Sequence, residues 1–463
     1  MLNKNVVKTL KLHNSQDVML LSLPASLIRH SGNQLRRHCS RSLSSDKYDV
    51  VVVGGGLVGT SAAVALGLEE KLENKRILLL DQAKKDATYE PELGFNLRVI
   101  NLTVGNQEFL DRIGVWDKIA AMRFRSYDKI YCWESNSNHA ISFSGEPMGY
   151  IVENNVIECG VAQVAQGLHN IEIVRGEEVC GIDLPLEQAK EPVKLTLASG
   201  AHIETDLLIG ADGANSRVRA AFDPPVLSWQ YGQQGIVCTL VSACEDKDTV
   251  AYQRFLASGP IALLPLGEGK FSLVWSCKCS LAQELMGLEE EEFVGRVNNA
   301  LQKDARVPPL VAAMETLSGY MGILEEPPHP PYITAVEGSR AKFPLGFSNA
   351  SRYAGPRTAL VGDAAHRVHP LAGQGANMGF RGAQQLVKSI SDAPHRQLGD
   401  HRVLNSYESK TQREVTPMLC FIDGMSKVYS SSFDPIVAAR SFGTGLVNQL
   451  PFVKNAFLGT ARS

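Results

Sequence analysis

Four consecutive valines, Val50–Val53, run directly into a glycine-rich turn, and this junction constrains the fold more than any other feature of the sequence. The glycines follow the spacing Gly54-x-Gly56-x-x-Gly59 and precede a stretch rich in Ala and Leu. The next apolar run, RILLLDQ, contains Asp81, 22 residues after Gly59. A buried strand, a glycine turn, a helix and a second buried strand that ends in an acid predict a βαβ unit of a parallel sheet.

The same unit has the properties of a dinucleotide-binding site. Gly54 allows a tight turn, Gly56 lets a pyrophosphate approach the backbone, and Gly59 lets the helix pack closely on the sheet. The helix N-terminus offers free N–H groups and the positive end of its dipole to phosphates. Asp81 can accept hydrogen bonds from an adenosine ribose. This motif alone does not distinguish FAD from NAD.

Composition separates the first 45 residues from the rest of the chain. They contain seven Lys/Arg and one acid, so they carry +6 and leave −9 for the remainder of a chain whose total is −3. An N-terminus rich in Ser, Leu and Arg and poor in acids is typical of a mitochondrial transit peptide, with processing predicted near residues 38–45. The alternative is a merely disordered tail. The net charge gives no reason to expect a nucleic-acid partner.

The cysteines indicate neither a disulfide framework nor a metal site. There are nine of them, an odd number, and no secretory signal precedes them. The one close pair, Cys277 and Cys279, lacks a second pair or nearby histidines, so we interpret it as part of a strand rather than a zinc site. Residues 50–68 are uncharged, but they contain the glycine turn and are explained by a strand, a turn and a helix rather than by a membrane span.

The middle of the chain changes character. Four segments alternate apolar and polar side chains and carry aromatics, as antiparallel strands do: residues 126–143, 226–243, 249–279 and 340–347. The sequence therefore predicts an α/β fold, in which a Rossmann-like domain is built from several segments and holds an inserted, mostly antiparallel β-sheet substrate domain. Residues 403–463 are predicted to be C-terminal helices, with Pro417, Pro435 and Pro451 as breakers.

Two further motifs follow buried strands. In GADGANSRVR, Asp212 precedes a helix start, so its carboxylate could serve a cofactor or cap that helix. In the second motif a strand leads into Gly362 and Asp363, Pro370 fixes a turn, and Gly373–Asn377 presents backbone N–H groups at a helix start. Such a helix end suits a polarised ring such as a flavin, and Asp363 could hold the hydroxyls of a ribityl chain.

Together, three motifs resemble the class A flavin-dependent aromatic hydroxylases: GGGLVG (54–59), GADGANSRVR (210–219) and GDAAHRVHPLAGQGANMGF (362–380). Three further stretches are similar to the ubiquinone-biosynthesis branch of that family, above all to its mitochondrial carbon-5 hydroxylases: GYIVENNVI (149–157), RFLASGPIALLPL (254–266) and FPLGFSNASRY (343–353). The resemblance extends over about residues 48–460 and implies an FAD-binding domain of the para-hydroxybenzoate hydroxylase type.

By position, the resemblance implies which residues hold FAD. The glycine turn and Asp81 hold the ADP half, Arg98 lies near the cofactor, Asp363 meets the ribityl chain, and Gly373–Asn377 lines the isoalloxazine. The predicted cofactor-binding residues are Gly54, Gly56, Gly59, Asp81, Arg98, Asp212, Gly362, Asp363, Pro370, Gly373, Gln374, Gly375, Ala376 and Asn377. We interpret His366 and His369 as packing beside the cofactor rather than as acid–base groups. The family usually has an acid at the position of Gly382. The sequence therefore leaves open how the helix that contains Gly382 is held in place.

The resemblance also divides the chain into segments. The predicted boundaries are a transit peptide at 1–45, an FAD-binding domain at 46–125, 149–222 and 348–402, a substrate domain at 126–148 and 223–347, and a C-terminal helical region at 403–463.

The implied activity is FAD-dependent monooxygenation at ring carbon 5 of a polyprenyl-hydroxybenzoate-type intermediate in ubiquinone biosynthesis, through a flavin 4a-hydroperoxide. The flavin carries this chemistry, so no catalytic side chain and no metal is predicted. Two alternatives stay open: an FAD-dependent reductase of prenyl lipids, or a non-catalytic structural subunit of the biosynthetic complex.

The implied partners are a polyprenylated phenolic lipid, dioxygen and other ubiquinone-biosynthesis proteins in a membrane-bound complex. Electrons would come from a ferredoxin and its reductase or from NAD(P)H, and the sequence has no second glycine-rich βαβ unit for a separate nicotinamide domain. The implied location is the matrix side of the mitochondrial inner membrane, as a peripheral protein. The apolar runs ALLPL and SLVW are predicted to line a tunnel for the lipid tail, and residues 446–459 either dock on a membrane or partner or pack on the FAD domain.

Overall fold

The computed structural model describes residues 46–187, 190–243, 249–303, 307–320, 328–393, 395–431 and 433–449. The predicted transit peptide lies outside the described residues, as does most of the segment 446–459. Among the described residues, no helix combines the length and apolar character that crossing a bilayer requires.

The strands, numbered in chain order, belong to two sheets. They are β1 (Asp46–Val53), β2 (Ile77–Asp81), β3 (Val99–Leu102), β4 (Arg125–Glu134), β5 (Ala140–Glu153), β6 (Ile171–Arg175), β7 (Val179–Asp183), β8 (Val193–Leu197), β9 (His202–Gly210), β10 (Val226–Ser242), β11 (Val250–Leu256), β12 (Gly259–Gly267), β13 (Lys270–Lys278), β14 (Ile333–Ala350), β15 (Ala354–Gly355), β16 (Thr358–Leu360) and β17 (His366–Arg367).

The α-helices are likewise numbered in chain order. They are α1 (Leu57–Gly67), α2 (Val104–Arg112), α3 (Trp116–Met122), α4 (Asn154–Gly167), α5 (Arg217–Phe222), α6 (Cys279–Gly287), α7 (Glu290–Gln302), α8 (Pro309–Tyr320), α9 (Gln374–Ser391), α10 (His401–Ser430) and α11 (Asp434–Gln449). Short 3-10 helices occupy Glu70–Leu72, Pro91–Leu93, Gly362–Ala364 and Pro370–Ala372.

The first sheet has a parallel core in the order β16-β9-β1-β2-β6, with β15 at one edge and the hairpin β7–β8 beside β9. Val50, Val51 and Val52 are completely buried, as the unbroken valine run predicts for a strand covered on both faces. Helix α1 follows the glycine turn and contacts α4 and α9. The predicted βαβ unit is confirmed.

The register of this sheet explains why three distant motifs meet. Val53 at the end of β1 pairs with Gly210 at the end of β9, and Gly210 pairs with Leu360 at the end of β16. The chain therefore leaves all three strands at one edge, where the glycine turn, the GADG motif and the Gly362–Asp363 motif lie side by side. Ligands of open parallel sheets bind at such a carboxyl edge.

The second sheet has nine strands in the order β17-β14-β10-β13-β12-β11-β4-β5-β3. The β11–β4 pair is parallel and the other pairs are antiparallel, so the predicted mostly antiparallel sheet is confirmed. One face packs on α6 and α7, where Phe293 and Val297 are completely buried. Two strands of this sheet, β3 and β17, come from segments that the prediction assigns to the FAD-binding domain. The predicted domain boundaries stay a prediction.

The prediction that Pro417 breaks a helix is wrong. Pro417 lies inside α10, a helix of 30 residues. Val415, Leu419 and Ile422 on either side of it are buried in one apolar cluster. This packing offsets the cost of proline in a helix interior, about 3 kcal/mol. Pro435 lies in the first turn of α11, a position where proline is tolerated, and Pro451 lies outside the described residues.

Candidate active site

The glycine turn after β1 has the geometry that its sequence predicts. Gly54 has φ +111°, and a Cβ there would lie 2.3 Å from the carbonyl oxygen of Ala211. A Cβ on Gly59 would lie 2.0 Å from the carbonyl oxygen of Gly54. At Gly56 a Cβ would meet no protein atom within 4 Å, and this residue lines a large cavity. A side chain at position 54 or 59 would therefore clash with the backbone of the protein itself, so glycine is required there. At position 56 glycine instead leaves open space in the cavity.

Asp81 lies at the end of β2, beside this turn. Its carboxylate accepts a hydrogen bond from the N–H of Ala83 at 3.1 Å and forms an ion pair with Arg175 at 2.8 Å. A Cβ on Gly55 would lie 2.5 Å from Asp81 Oδ2, so the acid contacts the turn closely. Asp81 itself does not line the cavity. Its role toward a ribose stays a prediction.

Arg98 lines the cavity on a loop that a buried acid holds in place. Glu153 accepts hydrogen bonds from the N–H of Asn96 at 2.6 Å and from Arg123 at 2.7 and 3.0 Å. Glu158 lines the cavity near Arg98, and burial raises the pKa of its carboxyl while Arg98 opposes that shift. The two side chains place opposite charges on one wall.

The third motif forms a cradle of backbone at the sheet edge. Gly362 and Gly373 have φ +60° and +61°, and Gly373 precedes α9. The side chain of Asp363 is open to the cavity but surrounded by protein, and this desolvation raises the pKa of its carboxyl, while Arg367 lowers it. Gln374 is buried and its Oε1 has no partner, and a Cβ on Gly375 would meet nothing within 4 Å. The cradle therefore has an unpaired polar atom and open space at the N-terminus of α9.

Asn377 fixes this cradle from behind. It is completely buried, and its Nδ2 donates to the carbonyl oxygens of Asn101 at 2.7 Å and Gly373 at 3.1 Å. Its Oδ1 accepts from the N–H of Thr103 at 3.1 Å and from Asn106 Nδ2 at 3.0 Å. Asn377 thus joins the start of α9 to β3 and α2, and it faces these elements rather than the cavity.

One cavity of about 1490 Å³ joins these features. Beyond the cradle it follows one face of the nine-stranded sheet, where alternate residues of each strand face it, as the period of a strand requires. These residues include Ile130 and Cys132 of β4, His139 just before β5 and Ile141 and Phe143 within it, Gln253 and Phe255 of β11, Ala262 and Leu264 of β12, and Val274 and Ser276 of β13. Residues of α10 and α11 also line it. The predicted contribution of ALLPL and SLVW to a cavity wall is confirmed.

A family profile described as an FAD binding domain matches residues 47–321 and 324–421. The ubiquinone biosynthesis monooxygenase COQ6 of Homo sapiens, named as mitochondrial, is 37% identical over 452 residues, which cover 93% of this chain and 96% of the human protein. The chain belongs to the COQ6 family of FAD-dependent monooxygenases.

Solved structures share the fold of this monooxygenase. The p-nitrophenol 4-monooxygenase PnpA of Pseudomonas putida superimposes with a TM-score of 0.65 at 17% identity, covering 90% of this chain and 99% of that one. PqsL, a probable FAD-dependent monooxygenase of Pseudomonas aeruginosa, gives a TM-score of 0.63 at 19% identity, covering 86% and 99%. The predicted fold class is confirmed, and family membership favours the monooxygenase over the reductase and the structural subunit.

FAD is the cofactor of this family, and the residues of the monooxygenase fit it. Gly56 and Gly375 leave open space, Gln374 offers an unpaired polar atom, and the first residues of α1 and α9 line one cavity. Two helix N-termini favour negative charge, which suits a pyrophosphate and a reduced flavin. Of the predicted residues, nine line the cavity: Gly56, Arg98, Gly362, Asp363, Pro370, Gly373, Gln374, Gly375 and Ala376.

Asp212 is used by the protein itself. Its carboxylate accepts hydrogen bonds from Ser216 Oγ at 2.5 Å and from the backbone N–H of Arg217 at 2.7 Å, so it holds the start of α5. Its neighbours Ala211 and Gly213 line the cavity, but Asp212 does not. The side-chain contacts of Asp212 are those of a residue that caps a helix, which is the alternative given from the sequence. Cofactor binding by Asp212 stays a prediction.

The two histidines of the third motif pack behind the cradle. His369 Nδ1 accepts from the N–H of Leu371 at 3.1 Å, so its Nε2 donates to Gln233 Oε1 at 3.1 Å. Burial lowers the pKa of His366 and of His369 to about 4. Both rings are buried and neutral at pH 7, and neither lines the cavity. These contacts agree with packing rather than an acid–base role.

Sequence motifs miss two residues near the cradle. Tyr127 lines the cavity, and its hydroxyl donates to Asn101 Oδ1 at 3.0 Å, while the carbonyl oxygen of Asn101 accepts from Asn377. Burial raises the pKa of Tyr127 to about 12, so the phenol stays protonated. Neither residue belongs to a recognisable pattern, because their roles come from contacts between segments far apart in sequence. Phe255 of β11 is buried and also lines the cavity.

Proposed function

We propose that this monooxygenase hydroxylates ring carbon 5 of a polyprenyl-hydroxybenzoate-type intermediate of ubiquinone biosynthesis. The observation that carries the proposal is the single cavity that begins at the Gly56 and Gly373 turns and continues over an apolar sheet face. The cofactor would occupy the part of the cavity at the two turns. A ring with a long apolar tail fits the part that lies over the apolar sheet face. The relatives named as ubiquinone biosynthesis monooxygenases support the pathway.

The residues of the chain bind, orient and exclude water. The turns at Gly54–Gly59 and Gly373–Ala376 would hold the pyrophosphate and the isoalloxazine of FAD, and Asp363 would hold its ribityl hydroxyls. When bound and reduced, FAD supplies the activation of dioxygen and the oxygen atom that is added to the ring. The apolar side chains of β11, β12 and β13 keep water from the reacting atoms and orient the phenol.

The electron source is part of the proposal. We infer that electrons come from a ferredoxin and its reductase rather than from NAD(P)H bound directly, as the resemblance to the mitochondrial branch implies. The parallel sheet has one glycine-rich βαβ unit among the described residues, and its turn is assigned to FAD. Oxidation of NADPH by the protein alone, at a rate that matches hydroxylation, would contradict this source.

The location is proposed on the same basis. The curated relatives are named as mitochondrial, and residues 1–45 have the composition of a transit peptide. We infer that the enzyme is peripheral on the matrix side of the inner membrane, in contact with other ubiquinone-biosynthesis proteins. Release of the whole protein from mitochondria by a low-salt wash alone would contradict a membrane association.

The test supplies the FAD-loaded protein with ferredoxin, its reductase, NADPH and a prenylated 4-hydroxybenzoate. We expect a product with one added oxygen atom, placed on carbon 5 by NMR. Ala262→Trp, which fills the cavity from β12, should abolish this product yet leave flavin absorption unchanged. Ala198→Trp on the exposed turn after β8 is the matched control and should act as the wild type. Hydroxylation at another carbon, or full activity of Ala262→Trp, would contradict the proposal.

A further inference from the structure

His139 is a buried histidine whose ring is left without a partner by the protein. It is 1% exposed, and neither Nδ1 nor Nε2 has a hydrogen-bond partner among the described residues. The residue lines the 1490 Å³ cavity. Its backbone N–H donates to Ser137 Oγ at 3.0 Å, so the main chain is held in place although the ring makes no hydrogen bond. Buried polar groups are normally hydrogen-bonded, so an unsatisfied imidazole on a cavity wall requires an explanation.

The register of β4 and β5 shows where the ring lies in the cavity. His139 comes immediately before the first paired residue of β5, so it stands opposite Glu134 of β4. Ile141, the next residue of the chain on the same face, pairs with Cys132. Cys132 packs on the apolar cluster that contains Leu371 of the cradle. Two residues along a strand span about 7 Å, so an aromatic ring that contacts Cys132 can bring a polar substituent to His139.

The charged groups near His139 are occupied by other partners. Glu134 forms its ion pair with Arg440 at 2.7 Å. Glu315 of α8 accepts hydrogen bonds from the backbone N–H and from Nδ2 of Asn138, at 2.5 and 3.1 Å. The imidazole of His139 is therefore available to a group that enters the cavity.

Burial and charge indicate which kind of group would bind. Desolvation lowers the pKa of His139 and Glu315 opposes this shift, so the imidazole is neutral at pH 7 and keeps one nitrogen as an acceptor. The charged side chains at this end of the cavity are Glu134, Glu315 and Arg440, two negative and one positive. This balance disfavours a carboxylate of the ligand and favours a hydroxyl that donates a hydrogen bond.

We propose that His139 accepts a hydrogen bond from the phenolic hydroxyl of the substrate and thereby fixes the orientation of the ring. The contact also selects for phenols, because a ring that lacks the hydroxyl leaves a buried imidazole unsatisfied. The inference rests on the proposed function, because it needs a phenolic ring in the cavity.

Two buried histidines with opposite surroundings provide a matched test of stability. Both ring nitrogens of His369 are bonded, to the N–H of Leu371 and to Gln233, whereas those of His139 are not. In the FAD-loaded protein without substrate, His369→Phe should lower the melting temperature, because it removes two hydrogen bonds. His139→Phe should not lower it, because no hydrogen bond is lost and the cavity has room for the larger ring. An equal fall for the two variants would overturn the inference, since it would give His139 a structural role.

Binding of two ligands to the FAD-loaded protein tests the contact itself. The ligands 4-hydroxy-3-prenylbenzoate and 3-prenylbenzoate differ only in the hydroxyl, and each is titrated without a reductant while the flavin absorption is recorded. The wild type should bind the phenol more tightly by about fivefold. His139→Phe should bind both ligands equally, and His139→Gln, whose amide oxygen can accept, should recover part of the preference. Comparing the change of ligand with the change of side chain isolates the interaction between the two.

The outcomes separate this contact from the reaction. The inference is overturned if His139→Phe keeps the preference of the wild type, which would mean that the imidazole meets only water. It is also overturned if the wild type binds the two ligands equally or binds neither. If the preference depends on His139 but the phenol is not oxygenated when electrons and dioxygen are supplied, the proposed function fails and the contact stands.

Discussion

Replacement of Asn377 by alanine should loosen the cradle at the start of α9. The Asn377 side chain makes four hydrogen bonds: two as donor, to the carbonyl oxygens of Asn101 and Gly373, and two as acceptor, from the N–H of Thr103 and from Asn106 Nδ2. All four partners belong to the wall that holds the cradle, and none of these bonds is made to solvent, because Asn377 is completely buried.

The size of the stability loss depends on which hydrogen bonds each partner of Asn377 keeps after the substitution. Asn106 Nδ2 keeps Thr103 Oγ1 as an acceptor at 3.0 Å, so its loss is small. The Thr103 N–H loses its acceptor in a buried place, which costs about 1–3 kcal/mol. Each of the two carbonyl oxygens loses a bond with a net value of about 0.5–1.5 kcal/mol. We therefore expect the free energy of unfolding of the apoprotein to fall by about 2–6 kcal/mol.

Two assays measure the effect. Urea unfolding of the apoprotein gives the stability loss, and titration of apoprotein with FAD, followed by flavin fluorescence, should give a dissociation constant at least tenfold higher. The matched control is Gln385→Ala on the same helix, which removes one bond to Ser389 Oγ at 3.1 Å and should leave both quantities nearly unchanged. Equal stability and equal FAD affinity for the two variants would refute the role given to Asn377.

Three further predictions concern the turn, the acid and the C-terminal helices. Gly56→Ala should fold as the wild type but bind FAD at least tenfold more weakly, whereas Gly59→Ala should lose stability as well, because its Cβ would lie 2.0 Å from a carbonyl oxygen. Burial raises the pKa of Asp363, so the apoprotein loses stability as pH rises from the unfolded value of 3.8 through the folded one; in Asp363→Asn, urea unfolding should show a smaller decline. Arg440→Ala should lower the free energy of unfolding by about 3–5 kcal/mol, since the buried Glu134 loses its ion pair at 2.7 Å and keeps only the hydrogen bond from Ser441 Oγ at 2.6 Å.

Each of these has a control and a contrary result. Identical melting temperatures for the two glycine variants would contradict the difference between them. An Asp363→Asn apoprotein with the pH dependence of the wild type would contradict the raised pKa. Arg296→Ala removes an exposed ion pair with Glu284 and should cost at most about 1 kcal/mol, so an equal loss there would contradict the weight given to burial.

The sequence predicts the parts of the site that depend on local backbone. The turn at Gly54–Gly59 and the start of α9 after Gly373 are conformations that few residues other than glycine adopt, so their pattern is visible in the chain. The unbroken run Val50–Val53 predicts a strand covered on both faces, because successive side chains point to opposite faces and all of them are apolar. The convergence of three motifs then follows from strand order at the sheet edge.

What depends on contacts between distant segments is not visible in the sequence. Asn101 meets Asn377 across 276 positions, and Tyr127 reaches Asn101 only because β4 and β3 both pair with β5. At Pro417 a local signal is visible but misleading, because the tendency of proline to break a helix is overridden by the packing of α10. Gly382 lies near Tyr407 and Thr411, whose closest atoms would be 3.8 and 3.9 Å from a Cβ, so α9 packs on α10 there without an acid.

The central claim is that this chain adds an oxygen atom from dioxygen to the ring of its lipid substrate. The most direct measurement is turnover under ¹⁸O₂ with the FAD-loaded protein, ferredoxin, its reductase and a prenylated 4-hydroxybenzoate, followed by mass spectrometry of the ring. We predict one ¹⁸O atom per product molecule, located on carbon 5. A product that contains no ¹⁸O, or one whose prenyl double bonds are reduced instead, would contradict the account.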